Sequence, residues 1–230
     1  MAKKLLCSHL MVRVVDLSAA VEDFRADGFR VQRPGGEAAS RNALVWFDDG
    51  PTIELFVPPK GSGLLGLVID LRYGRGAGRR LVRWSRTMGI CDIVLATEGE
   101  DLQSRIADLF AGGVSFAAPV AFSRRGSDGN LVRFRCGYPR NDRLPFLMTP
   151  YDPPQARGET DHPNGARAVR VVDVEVAPAD RAAFDLLTGA DWRIRLRPGA
   201  ITAVRSLEIE GLAVGPGSRA ARHLGLAPAR

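Results

Sequence analysis

The feature that most constrains this chain is an internal repeat. A strand–helix–strand–strand–strand order of apolar periodicities runs from residue 5 to 58 and begins again at Gly89. In the first copy, a strand over 5–14 leads to Asp16, a helix N-cap. Leu17, Val21 and Phe24 then recur at helical spacing, and Gly28 follows the helix end. Short strands are predicted at 29–33, 42–47 and, after the turn Asp48-Asp49-Gly50-Pro51, at 52–57. In the second copy the strands fall at 90–96, 114–116 with 120–122, 131–136 and 144–149, and a helix over 101–110 ends at Gly112-Gly113. The run Thr52 to Pro58 thereby aligns with Leu144 to Pro150. Residues 167–212 read as a truncated third copy, β-α-β-β.

The fold class implied is α+β, two βαβββ modules with a partial third at the C-terminus. The first module spans 1–59, a crossover linker 60–88, the second module 89–150, a Pro-rich linker 151–166, the partial module 167–212 and a flexible tail 213–230. Within the crossover, 64–71 reads as a strand and 81–88 as a short helix. Between them, Gly74-Arg75-Gly76-Ala77-Gly78-Arg79-Arg80 lacks the phosphate-loop pattern and reads as a mobile connection rather than an anion cradle.

Composition narrows the function. The chain has 230 residues, with 32 Lys+Arg against 26 Asp+Glu, a net charge of +6. That excess attracts anionic small molecules. No zinc-finger spacing, RNA-binding aromatic motif or long basic helix marks specific nucleic-acid recognition. Cys7, Cys91 and Cys136 are odd in number and widely spaced, which fits a reducing, cytoplasmic setting. No apolar run approaches the roughly 20 residues that span a bilayer, so no membrane partner is expected.

Two strand residues stand out as ionisable groups in apolar runs. On the first strand, alternation places Ser8, Leu10, Val12 and Val14 on one face and Cys7, His9, Met11 and Arg13 on the other. On the fourth, Ile53, Leu55 and Val57 face one way and Thr52, Glu54 and Phe56 the other. His9 and Glu54 can thus look into one cavity, or His9 is a hydrogen-bonded pocket histidine and Glu54 pairs with Arg133 or Arg135. His162, in His-Pro-Asn-Gly, either joins them as an acid/base group or ligand, or bonds backbone groups in a turn. Trp46 reads as core and the three thiols as buried and inert.

The two modules, with Ser8-His9-Leu10, Val15-Asp16-Leu17, Arg41-Asn42-Ala43-Leu44, Ile53-Glu54-Leu55, Leu144-Pro145-Phe146-Leu147 and His162-Pro163-Asn164-Gly165-Ala166, resemble the glyoxalase-like domain family of the vicinal oxygen chelate superfamily. The resemblance covers residues 5–180. It implies mixed sheets curled around a cavity that holds a divalent metal, with ligands from the first and last strands of each module. His9 and Glu54 match the ligand positions of the first module. In the second, Asp92 falls at the first-strand position and Phe146 replaces the fourth ligand. The implied site is His9, Glu54 and Asp92 around Fe, Mn, Ni or Zn, with Glu54 and His162 as catalytic groups. The implied activity is that of a lyase, isomerase or dioxygenase on a small oxygenated, perhaps anionic molecule. Cofactor-free catalysis by His9 and His162, and sequestration of a small molecule without turnover, are the alternatives. Homodimerisation is a superfamily-level expectation.

Overall fold

The structure is a computed structural model and describes residues 5–34, 40–97, 101–125, 130–154, 156–189, 191–212 and 218–224. The first module comprises β1 (Leu5–Arg13), α1 (Leu17–Ala26), β2 (Asn42–Val45) and β3 (Thr52–Phe56). Helix α1 starts where Asp16 accepts hydrogen bonds from the backbone N–H groups of Ser18 and Ala19, at 2.8 and 3.1 Å. Its buried face is Leu17, Ala20, Val21 and Phe24. The crossover holds α2 (Ser62–Tyr73) and α3 (Ala77–Arg86). The second module is β4 (Gly89–Thr97), α4 (Leu102–Ala111), β5 (Val120–Arg125), β6 (Leu131–Gly137) and β7 (Phe146–Met148).

All seven strands join one sheet in the order β2-β3-β1-β4-β7-β6-β5. In each module the first strand pairs in parallel with the last, β1 with β3 and β4 with β7. The antiparallel pairing of β1 with β4 welds the halves together. The sheet is mixed and curled. Arg124, near its β5 edge, and Glu54, on β3 near the other edge, both act electrostatically on His9.

The chain continues into β8 (Ala168–Val176), α5 (Arg181–Thr188), β9 (Ile194–Pro198) and β10 (Ala203–Glu210), a three-stranded sheet ordered β10-β8-β9. Its apolar face, with Val172, Val174, Phe184 and Leu187, shares one core with Leu10, Val12, Phe24 and Leu55 of the first module. A second, smaller core covers the opposite face of the large sheet under α2 and α3. It gathers Met11, Phe56, Val94, Cys136, Tyr138 and Phe146, with Trp84 and Tyr151 packed on it. Among the described residues, no helix is long and apolar enough to cross a membrane.

Four expectations change. Residues 64–71 are helical, not a strand: Leu64, Leu67, Val68 and Leu71 keep i, i+3, i+4, i+7 spacing and stay exposed. The buried side of α2 is Gly66, where a Cβ would meet the Gly78 carbonyl oxygen at 2.7 Å. The basic glycine stretch becomes the start of α3, because Asp70 accepts from the backbone N–H groups of Gly76 and Gly78 at 3.1 and 2.8 Å. The expected strands at 29–33 and 114–116 are single bridges, Gln32 to Leu44 and Phe116 to Pro139. In the tail, α6 (Arg219–Leu224) packs on α1, with Ser218 Oγ donating to Asp27 at 2.5 Å and His223 Nε2 lying 2.8 Å from Asp23. Residues 213–217 and 225–230 of the expected tail lie outside the described residues.

Candidate functional site

The site begins with an irregularity in β1. A register shift between Cys7 and His9 breaks the alternation, so Cys7 joins Leu10 and Val12 in the main core while Met11 faces the other way. Strict alternation had placed Cys7 beside His9. A bulge is a backbone event set by pairing with β4, and the pattern of side chains does not announce it. It also sets Ser8 Oγ 3.0 Å from His9 Nδ1.

That contact assigns the tautomer of His9. Ser8 has a single hydroxyl proton and donates it to the carbonyl of Val94 at 3.2 Å. Its oxygen must therefore accept from Nδ1–H, leaving the lone pair of His9 on Nε2. Burial lowers the pKa of His9 more than the nearby Glu54 raises it, and Arg124 lowers it further. The imidazole is thus neutral near pH 7, a base or a ligand.

Glu54 projects from the centre of β3 on the same side, half-buried. Its Oε1 accepts from Asn42 Nδ2 on β2 at 2.7 Å, rather than pairing with Arg133 or Arg135. Burial raises the pKa of Cys136 and Tyr151, and the same carboxylate raises both further. The Arg124 guanidinium lies 4.9 Å over the Tyr151 ring. His9, Glu54, Arg124 and Tyr151 therefore form one electrostatic cluster on the concave face. Neither Arg124 nor Tyr151 carried a sequence signal; only the curl of the sheet gathers them.

Asp92 is not part of that cluster. Its Oδ2 accepts from Arg80 Nη1 at 2.5 Å, Arg83 Nη2 at 2.6 Å and the Trp84 indole at 2.7 Å, and its Oδ1 accepts from the Ile93 amide at 2.9 Å. Arg80 is completely buried, donates also to the Leu144 carbonyl, and stacks 5.3 Å over Phe146. The two second-module positions that the resemblance matched to ligands thus surround a protein cation. Asp92 is an ion-pair partner in this arrangement, at the position where the resemblance implied a metal ligand.

His162 also lies elsewhere. Its Nδ1 accepts from the Arg30 amide at 2.9 Å, so its Nε2–H donates to the Trp46 carbonyl at 2.8 Å. The ring is wedged edge-on between Phe29 and Phe47, at 5.5 and 5.3 Å. Asn164 adds a bond from Nδ2 to the Asp27 carbonyl at 2.8 Å and accepts from Ala166 N–H at 3.1 Å. The segment latches the linker onto the end of α1, and both ring nitrogens of His162 are spent on backbone. The resemblance implied a catalytic group at His162; in this arrangement each ring nitrogen has a backbone partner. Trp46 is core, as its composition suggested, with its indole donating to Gln32 at 2.7 Å.

The chain matches the family model described as a glyoxalase-like domain over residues 7–188. It belongs to the glyoxalase-like domain family. A hypothetical protein from Staphylococcus aureus shares the fold, with a TM-score of 0.64 and 16% identity over 89% of this chain and 90% of that one. The Mn(II)-bound glyoxalase from Novosphingobium aromaticivorans does so with a TM-score of 0.53 and 15% identity, over 98% of this chain and 71% of that one. Both likenesses are likenesses of fold. No curated protein matches the sequence.

The donor set can be compared with what a metal in this family needs. One neutral imidazole with Nε2 unprotonated and one carboxylate suit Mn, Fe, Ni or Zn. Among the described residues no group of three or more His, Cys, Asp or Glu side chains is placed to hold an ion. His9 and Glu54 offer one imidazole and one carboxylate of the kind such an ion takes, and the Asp92 carboxylate is held by Arg80 and Arg83.

Proposed function

We propose that this glyoxalase-like protein is an enzyme that moves a proton on a small, oxygenated, anionic molecule bound at the concave face, in the manner of an isomerase or lyase. The observation that supports this most is the tautomer of His9 beside Glu54. A neutral imidazole with its lone pair on Nε2 takes a proton from a carbon next to a carbonyl, breaking C–H, forming N–H and leaving the electron pair as an enolate. The Glu54 carboxylate stabilises the imidazolium that forms. The Arg124 guanidinium attracts the anionic substrate and its developing negative oxygen. Return of the proton from Nε2 to the other face or the neighbouring atom completes an isomerisation.

A divalent ion would be held by Glu54 and by the same Nε2 lone pair of His9, would supply polarisation of a substrate oxygen, and would leave His9 unable to act as the base, so the two roles of His9 are alternatives. Sequestration without turnover is the second reading, supported by the closure of the second half of the site around Arg80 and Asp92.

Proton exchange in D2O, followed by NMR with pyruvate, hydroxyacetone and 2-oxooctanoate, tests the reaction. Wild-type protein should accelerate exchange of the α-protons, and His9→Gln and Glu54→Gln should each lose about 10²-fold or more. Exchange retained in both variants sinks the assignment; binding without exchange selects sequestration. Elemental analysis after incubation with Mn, Fe, Ni and Zn tests the ligands, since both variants should lose any ion that wild type retains.

A further inference from the structure

The concave-face core is left open at one end. Helices α2 and α3 lie against β5 and β6 across a cavity of about 440 Å³. Ile69, Tyr73, Leu81 and Trp84 line it from the helices, and Phe122 and Tyr138 from the second module. None of its lining residues carries a charge, although α3 alone holds Arg79, Arg80, Arg83 and Arg86. The inward arginine, Arg80, is bound to Asp92 and the Leu144 carbonyl instead of the cavity wall. The volume is that of a small-molecule site, which runs from about 300 to 1,000 Å³.

A chain of packed side chains links the cavity wall to the polar cluster, whose own residues do not line the cavity. Trp84 meets Phe56 edge-on at 5.4 Å, and Phe56 follows Glu54 by two residues on β3, hence on the same face.

We propose that this cavity receives the apolar chain or ring of the ligand whose oxygenated end lies at His9 and Glu54. The substrate class is then an amphiphile with a short anionic, carbonyl-bearing head and a hydrocarbon tail. The head's position rests on the reading given above; the tail site stands on the cavity itself.

Calorimetric titration of the full chain with pyruvate, 2-oxooctanoate and 1-octanol separates the two. Wild type should bind 2-oxooctanoate at least ten-fold tighter than pyruvate. Ala121→Trp, which fills the cavity from an exposed strand position, and Leu65→Glu, which places a charge at its rim, should each abolish that preference and weaken 1-octanol at least ten-fold. Circular dichroism establishes that each variant is folded. 1-Octanol should bind His9→Gln as it binds wild type, even where that variant has lost the head-group chemistry. Equal affinity of pyruvate and 2-oxooctanoate for wild type, no binding of 1-octanol, or its undiminished binding to both cavity variants overturns the proposal.

Discussion

The two halves of the concave face begin from the same strand positions and end with opposite chemistry. In the first, His9 and Glu54 stand on β1 and β3 with a lone pair and a carboxylate turned to the same side. In the second, Asp92 on β4 is wrapped by Arg80, Arg83 and Trp84, and Phe146 on β7 carries the Arg80 guanidinium on its ring. The difference comes from α3, which inserts a cation where the second module would otherwise have offered its ligands. Under the proposed function the first half is the reactive one, and the second is structural.

The largest effect should come from breaking the structural half. Asp92→Ala strands a buried guanidinium and should cost about 3–5 kcal/mol, read as a drop in urea midpoint. The pair Arg80→Met with Asp92→Leu should lose far less, because no uncompensated charge remains. Equal losses in the single and double variants would mean that Asp92 matters for something besides its arginines. In the reactive half, Asn42→Ala removes one partly buried hydrogen bond to Glu54 and should cost about 0.5–1.5 kcal/mol.

The smallest effect is in pH. The folded-state pKa of His9 lies below its unfolded value of about 6.5. Its contribution is therefore fully present above that pH and lost as pH falls toward the folded value. Wild type should lose urea stability relative to His9→Gln as pH falls below about 6.5. Parallel curves for the two proteins would show that His9 is not held neutral.

Much of this was legible in the chain. Alternation and turn residues announced the repeat and a truncated third copy, although the first module keeps three strands where four were expected. His9 and Glu54 were visible because an ionisable group in an apolar strand is unusual for a reason. The Asp16 cap and the apolar stripe of α1 are local patterns and emerged intact. Residues 64–71 misled because a near-continuous apolar run is compatible with either a buried strand or a helix. Its apolar side turned out to face solvent, while a glycine contact held the helix in place.

What the sequence by itself determined was most of the strands and helices and the strand faces of His9 and Glu54, since both follow from periodicities of a few residues. The tertiary structure alone decided which groups meet. The bulge that orients Ser8 toward His9 depends on β4, and the partners of His162 are 116 and 132 residues away. Arg124 reaches the site only because the sheet curls, and Asp92 became structural only because α3 folds back over β4. Local spacing encodes a side chain's face, whereas its partners are set by how distant strands and helices close around one another.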